Sequence, residues 1–276
     1  MSDARDPAQH RFDAWPLLSH SLHYVVSAGV TSSGLTIGDL DSITVLAGGI
    51  ASATTVSAGG LETVSAGGTA VNDTISGGFE SIAAGGVASD GTIYSGEIDG
   101  PGVVEDLTIS GGVVSGVVFS GSNEGLGGSV DNATVGPGGT LAATFGNVNG
   151  LLVSGSGATL EAGFGPATLG GVVIESGGVE DLNGGGAEGG TTLSSGGLEL
   201  VGGLCVASNT VISSGGVLSL ALDGLADNAV VLSGGVVSNS AGLANDITVS
   251  SGGTDVVGGG GGDNGAVVFA AASSSW

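Results

Sequence analysis

The stretch that decides the fold is residues 191–264, TTLSSGGLELVGGLCVASNTVISSGGVLSLALDGLADNAVVLSGGVVSNSAGLANDITVSSGGTDVVGGGGGDN, in which one short pattern occurs four times. Each copy holds aliphatic residues, one or two serines, a Gly-Gly pair and an end that carries Asn or Asp. The pairs advance in steps of 19, 19, 19 and 18 residues, counted on their first glycines Gly177, Gly196, Gly215, Gly234 and Gly252. A fixed period of this length predicts a solenoid, whose coils bury their inner faces by stacking.

The first half of the chain keeps the same period. Gly48, Gly67 and Gly85 are 19 and 18 residues apart, and a second glycine-rich turn falls inside most periods. Each unit therefore reads as strand, turn, strand, turn. We predict an all-β protein, a single-stranded parallel β-helix of about thirteen short coils from Ser21 onward. Two rival solenoids remain: a left-handed hexapeptide helix, and a Ca²⁺-binding nonapeptide roll, of which GGGGGDNG at 258–265 is one imperfect copy.

Aligned copies define columns of equivalent residues. Two columns are aliphatic and are expected to point inward: Ile174, Leu193, Ile212, Val231 and Val249, and then Val179, Leu198, Val217, Val236 and Thr254. A serine precedes each glycine pair, at the shoulder of the turn: Ser176, Ser195, Ser214, Ser233 and Ser251. Glycine and asparagine tolerate positive φ, so the first glycines and the recurrent asparagines are expected at sharp corners: Asn209, Asn228, Asn245 and Asn264.

The composition excludes several functions. The 276 residues include 26 acids and only two basic residues, Arg5 and Arg11, for a net charge of −24. Such a chain repels phosphate and anionic lipid, which argues against nucleic acid partners and against direct membrane insertion or surface binding. The single cysteine, Cys205, lies between Leu204 and Val206 and is expected to be a buried thiol. No stretch has the length of a signal-peptide core or a transmembrane helix.

We divide the chain into a non-repeat leader or N-terminal cap at residues 1–20 and a β-helical domain at 21–276. The period is irregular between about residues 91 and 170, where SGEIDGPG and SGSNEGLGG are expected to leave the helix as loops. The C-terminal AVVFAAASSSW begins a further coil without a recognisable cap, which is compatible with a truncated chain.

The sequence favours no catalytic, metal or cofactor site. The three histidines, His10, His20 and His23, are confined to one end of the chain, so a Ser-His-Asp triad cannot be assembled from the pattern. Acid pairs such as Glu105 with Asp106 and Glu180 with Asp181 are interpreted as outward side chains that keep an apolar rod soluble. The alternative is a carbohydrate-active β-helix enzyme that uses such carboxylates as acid and nucleophile.

The units TTVSAGGLETVSAGGTAVNDTISGGFESIAAGGVAS and SSGG resemble the repeats of AIDA-type autotransporter passenger domains, from about Tyr24 to Asn264. The resemblance implies a right-handed β-helix on the surface of a Gram-negative bacterium, or secreted from it. It implies adhesion, autoaggregation or biofilm formation, with cell surfaces, glycans or other copies of the protein as partners. This chain departs from the family in showing neither a signal peptide nor a translocator barrel, and a truncated structural remnant is a further alternative.

The resemblance also implies that a heptosyltransferase modifies serines of the repeat. Carried over by position, the candidate O-glycosylation sites are Ser57, Ser65, Ser76, Ser110, Ser176, Ser195, Ser214, Ser233 and Ser251. The function expected from the sequence is therefore that of a non-enzymatic, surface-exposed rod.

Overall fold

A computed structural model describes residues 21–125, 127–162, 165, 167–184, 186–269 and 273–275. Within these residues the chain consists of short strands and turns, with no helix. The strands pair in parallel with strands one coil earlier and one coil later, as Leu198–Gly202 does with Val179–Asn183 and Val217–Leu220. The predicted parallel β-helix is confirmed, and it makes about thirteen turns. The expected leader at 1–20 lies outside the described residues.

Each coil has three sides, which we call the first, second and third faces in chain order. The first and third faces form one 26-stranded sheet, because β9 and β11 run through the edge between them; the second face is a separate 14-stranded sheet. The first face contains β1 His23–Val26, β4 Ser42–Val45, β7 Leu61–Val64, β9 Thr74–Ile82, β11 Thr92–Asp99, β14 Val113–Ser115, β17 Ser129–Asp131, β20 Asn147–Asn149, β23 Thr168–Gly170, β26 Ala187–Gly189, β29 Val206–Ser208, β32 Leu225–Asp227, β35 Leu243–Asn245 and β38 Gly262–Asn264.

The second face contains β2 Thr31–Ser33, β5 Ile50–Ser52, β8 Thr69–Val71, β10 Val87–Ser89, β12 Val103–Glu105, β15 Val118–Ser120, β18 Thr134–Val135, β21 Leu152–Ser154, β24 Val173–Glu175, β27 Thr192–Leu193, β30 Val211–Ile212, β33 Val230–Val231, β36 Thr248–Val249 and β39 Val267–Val268. The third face shares β9 and β11 and adds β3 Thr36–Ile37, β6 Thr55–Ser57, β13 Thr108–Ile109, β16 Ser122–Gly125, β19 Thr140–Ala143, β22 Thr159–Ala162, β25 Val179–Asn183, β28 Leu198–Gly202, β31 Val217–Leu220, β34 Val236–Asn239, β37 Thr254–Val257 and β40 Ser273–Ser275.

The interior is filled by columns of aliphatic side chains. The first predicted column, Ile174, Leu193, Ile212, Val231 and Val249, is fully buried, which confirms that prediction. The second column, Val179, Leu198, Val217, Val236 and Thr254, was predicted to be inward and is only half-buried. The reason is the alternation of a strand: the second glycine of each pair takes the inward position, so the next residue faces outward.

The two glycines of a pair serve different purposes. Gly196 has φ +90°, a conformation that L side chains avoid, and an added Cβ would meet nothing nearer than 3.8 Å. Gly197 has no such backbone, but a Cβ there would lie 2.1 Å from the carbonyl oxygen of Ile174 in the coil before. The first glycine is therefore required by the turn, as predicted, and the second by the close approach of two coils.

A second kind of corner is made by one residue in the left-handed conformation. Asn209 and Asn228 have φ of +58° and +56°, which confirms their predicted role. In the next two coils the left-handed residue is the one that follows Asn245 and Asn264, namely Asp246 and Gly265. The Asn264 amide instead donates to Asn245 Oδ1 at 3.5 Å, so this pair stacks without making the corner.

The irregular middle is explained by an exchange of corners. Up to Asp106 the one-residue corner joins the second face to the third, and from Asn132 onward it joins the first face to the second. The coil between these two regions has a one-residue corner at both edges: Gly116 joins its first face to its second, and Gly121 joins its second face to its third. The repeat is therefore shorter there. The two segments expected as loops contribute residues to β11 and β16, so they stay largely within the helix wall.

Candidate functional site

The five serines before the later glycine pairs form a ladder along one edge, between the second and third faces. Each is exposed, and each is the first residue of a two-residue turn. The turns stack directly: Ser176 N–H donates to the Ser195 carbonyl at 3.1 Å, and Ser195 N–H to the Ser214 carbonyl at 3.0 Å. Stacked coils are about 4.8 Å apart, so the ladder presents a serine at that interval. We call Ser176, Ser195, Ser214, Ser233 and Ser251 the serine ladder.

The other four candidate serines do not join this ladder. Ser57, Ser76 and Ser110 lie at the edge between the third face and the next coil's first face, and Ser65 lies between the first and second faces. Ser76 and Ser110 are exposed, whereas Ser57 and Ser65 are half-buried. The nine serines therefore occupy three edges of the rod, because the corners change places in mid-chain.

Buried acids form the feature that the sequence did not reveal. Glu62 of β7 and Glu80 of β9 face inward and stack in register on the first face. Asp73, at the corner before β9, completes a group that we call the first acidic triad. Asp73 Oδ1 accepts the backbone N–H of Thr54 at 2.7 Å, while both Glu62 oxygens lack a hydrogen-bond partner.

A second acidic triad consists of Glu180, Glu188 and Glu199. Glu180 and Glu199 stack in register on the third face, and Glu188 approaches from the first face. One oxygen of each carboxyl lies within 4.8 Å of the other two. The Thr191 hydroxyl donates to Glu180 Oε2 at 3.3 Å, and the Thr191 N–H donates to Glu188 Oε1 at 3.0 Å. A further buried acid, Asp255, lies beside Asp263 near the other end of the described helix.

Burial makes the acids hold protons. Loss of water raises the pKa of Glu62 to about 10, and the charges of Glu80 and Asp73 add to this rise. The pKa of Glu80 is raised to about 8 by burial and by the charge of Asp73. Burial raises the pKa of Asp73 only to about 6, because the Thr54 N–H stabilises its ionised form. At neutral pH the two glutamates are therefore largely neutral.

The same cause acts on the second triad. Burial raises the pKa values of Glu180 and Glu199 well above their usual range, and the charge of Glu188 adds to both. Burial also raises the pKa of Glu188, against hydrogen bonds from Thr191 that favour its charge. Burial raises the pKa of Asp255 to about 6.

The interpretation of Glu180 as an outward acid was therefore wrong. The second residue after each glycine pair is the inward one, and there the successive coils carry Glu180, Glu199, Leu218, Val237 and Asp255. Side chains alternate along a strand, and the second glycine of each pair is inward, so the residue two positions after it also points inward. Starting the alternation from that glycine, and not from the aliphatic residue that follows it, would have predicted that these acids are buried. In the other pair, Glu105 is half-buried and Asp106 exposed, and Asp106 Oδ1 accepts the Ser122 N–H at 2.8 Å at a corner.

Three shallow grooves on the described surface each contain a single acid: Glu97, Asp181 or Asp223. A shallow groove of about 690 Å³ lies where coils of the first half meet, and glycines, Leu61, Phe79 and one acid, Glu97, line it. Cys205 is fully buried, as predicted. The described residues contain no helix with the length and apolar character that crossing a membrane requires.

The fold and its stacked turns define the chain as a parallel β-solenoid. It is similar to the crystal structure of a TibC-catalysed, hyper-glycosylated fragment of TibA, TibA55-350. The two are 29% identical, with a TM-score of 0.58, over 92% of this chain and 90% of the fragment. No family model matches the sequence, and no curated protein matches it.

Proposed function

We propose that this protein is a non-enzymatic β-helical rod, displayed on a bacterial surface or secreted, that works by presenting a repetitive exterior. The similarity to TibA55-350 along nearly the whole chain supports this proposal. The scattered exposed acids and the groove with a single acid also favour a rod over a carbohydrate-active enzyme. Its partners would be cell surfaces, glycans or further copies of the rod.

The serine ladder would be the principal site of O-linked glycosylation by a heptosyltransferase. The carrying observation is that the similar TibA fragment is hyper-glycosylated by TibC. The ladder offers what such an enzyme needs, exposed serines at turns in successive coils. Within the described chain the five hydroxyls make no hydrogen bond, so attaching a sugar would not break one. Ser76 and Ser110 are also exposed, whereas Ser57 and Ser65 are half-buried and would be weaker acceptors of the sugar.

Intact mass spectrometry tests the modification. The chain is co-expressed with TibC, and we expect a series of masses separated by one heptose residue. A variant in which all five ladder serines are alanine should lose most of this added mass. A variant with Ser57, Ser65, Ser76 and Ser110 changed to alanine is the matched control and should keep most of it. A mass equal to that of the bare chain would refute the glycosylation proposal.

The adhesive role needs a separate measurement. Beads coated with the purified rod should cluster or bind bacterial cells, and beads coated with unfolded protein should not. Equal behaviour of the two preparations would count against a role for the stacked exterior. Glycosylated and bare protein can be compared in the same assay, which separates the contribution of the sugar from that of the fold.

A further inference from the structure

The second acidic triad lies in a closed polar chamber inside the helix. Leu160 pairs with Glu180 on one side, and Leu218 pairs with Glu199 on the other. Leu169 and Ala207 likewise bracket Glu188 on the first face. All four bracketing side chains are buried. The chamber is therefore confined to two coils, and its acids are almost entirely shielded from water: Glu180 and Glu199 are 0% exposed and Glu188 is 4% exposed.

Several oxygen atoms in the chamber have no partner. Glu180 Oε1, Glu188 Oε2 and both Glu199 oxygens are buried without a hydrogen bond. Thr210, which follows Thr191 by one coil, adds an independent observation. Its side chain is 0% exposed, and its hydroxyl faces the Glu199 carboxyl, whose ionised form it favours, without reaching the geometry of a formed hydrogen bond. A buried polar atom without a partner destabilises the folded state.

Within the described residues no lysine or arginine side chain is present to satisfy these oxygens. The sequence has no lysine, and its two arginines are at positions 5 and 11, outside the described part of the chain. Protons could pair these oxygens only through hydrogen bonds between the carboxyls themselves, each joining one donor oxygen and one acceptor oxygen. A cation at the centre of the triad would instead bind the oxygens in their ionised form.

We propose that Glu180, Glu188 and Glu199, with the Thr210 hydroxyl, bind a calcium ion in the core of the helix. The donors are all oxygen, which suits hard cations rather than zinc or copper. Two oxygens on opposite sides of calcium, each 2.3–2.6 Å from it, are about 4.6–5.2 Å apart, and the three carboxyls converge within 4.8 Å. Magnesium fits less well because it retains several waters, whereas these acids are buried away from solvent.

The first acidic triad provides an internal contrast. It too is buried and has unpaired oxygens, but among the described residues only the second triad brings three acids together within this spacing. The first triad is therefore expected to be neutralised by protons and the second by the ion. Calcium binding would release the protons that the three carboxyls hold in its absence.

The test is calcium retention after refolding. Because the chamber is closed, the full chain is unfolded, refolded in CaCl₂, in MgCl₂ or with EGTA, desalted and analysed for metal. We expect one calcium per chain, no retained magnesium, and a higher unfolding temperature in calcium than in EGTA. Refolding in EGTA should also take up more protons from a weakly buffered solution than refolding in calcium, because the carboxyls of the unfolded chain are already ionised.

Two variants and a control make the result specific. Glu199→Gln should abolish calcium retention, and Thr210→Val, which removes only a hydroxyl, should weaken binding at least several-fold without preventing folding, as judged by circular dichroism. Glu62→Gln makes the same chemical change in the first triad and should keep the calcium. Wild-type protein that refolds equally well in EGTA and retains no calcium would overturn the proposal, as would full retention by Glu199→Gln.

Discussion

Replacing Glu62 by glutamine isolates the energetic effect of one buried acid. In the folded chain the pKa of Glu62 is raised to about 10 from an ordinary 4.5. Between these values the folded chain holds a proton that the unfolded chain has released, so stability falls as pH rises. The slope is about 1.4 kcal/mol per pH unit for one retained proton. From pH 5 to pH 8 the loss due to Glu62 is therefore about 4 kcal/mol.

The variant Glu62→Gln keeps the shape of the protonated acid but has no proton to lose. We expect it to match the wild type near pH 5 and to be more stable by about 4 kcal/mol near pH 8. The assay is urea unfolding, followed by circular dichroism, at a series of pH values. Glu105→Gln, which removes one acid outside the core, is the control for net charge.

Two results would refute this reasoning. If the wild type kept the same unfolding midpoint from pH 5 to pH 8, the buried acids would not be holding protons. If Glu62→Gln and the wild type lost stability in parallel, the loss would arise elsewhere in the chain. Unfolding of a repeat protein can pass through partly unfolded forms, so midpoints and slopes are compared under identical conditions.

Five further substitutions at four positions test the coil itself by urea unfolding. Gly196→Val should cost about 1–3 kcal/mol through backbone strain at φ +90°. Gly197→Ala should cost more than that, although alanine is the smaller residue, because its Cβ would meet the Ile174 carbonyl oxygen; equal stability of the two variants would contradict the division of roles. Leu193→Ala should cost about 2–5 kcal/mol by leaving a cavity in a filled column, and a loss below 1 kcal/mol would show that the coils collapse around it. Asn228→Val should cost about 1–3 kcal/mol at its left-handed corner whereas Asn228→Gly should be nearly neutral, and similar values for both would argue against that corner.

The sequence predicted those features that repeat with one period. The 19-residue step, the positive φ of the first glycine and the buried column that contains Ile174 and Leu193 all follow from residues that recur at fixed positions. The direction of the next column was predicted wrongly, because it depends on whether the second glycine lies inside the strand. Whether that glycine lies inside the strand depends on contact between neighbouring coils, such as the approach of Gly197 to the Ile174 carbonyl oxygen, and this contact cannot be read from the residue type alone.

The arrangement of the edges could not be predicted for a similar reason. The sequence shows two kinds of corner, but it does not show which faces each corner joins. Asp106 and Asn132 have similar φ and similar chemistry, yet they lie at different edges. Consequently serines that share a local motif, such as Ser76 and Ser195, were grouped together although the rod presents them on different sides.

The buried acids give the folded state a dependence on its surroundings that an apolar core would not have. Within the described helix no lysine or arginine is available, so a buried carboxyl that lacks the backbone N–H held by Asp73 must be neutralised by something taken from solution. A proton and a calcium ion are the two candidates, and they predict opposite responses. A triad neutralised by protons loses stability as pH rises, whereas a triad neutralised by calcium gains ligand affinity as its carboxyls ionise. The first and second triads therefore allow both responses to be measured in one chain, with Glu62→Gln and Glu199→Gln as reciprocal controls.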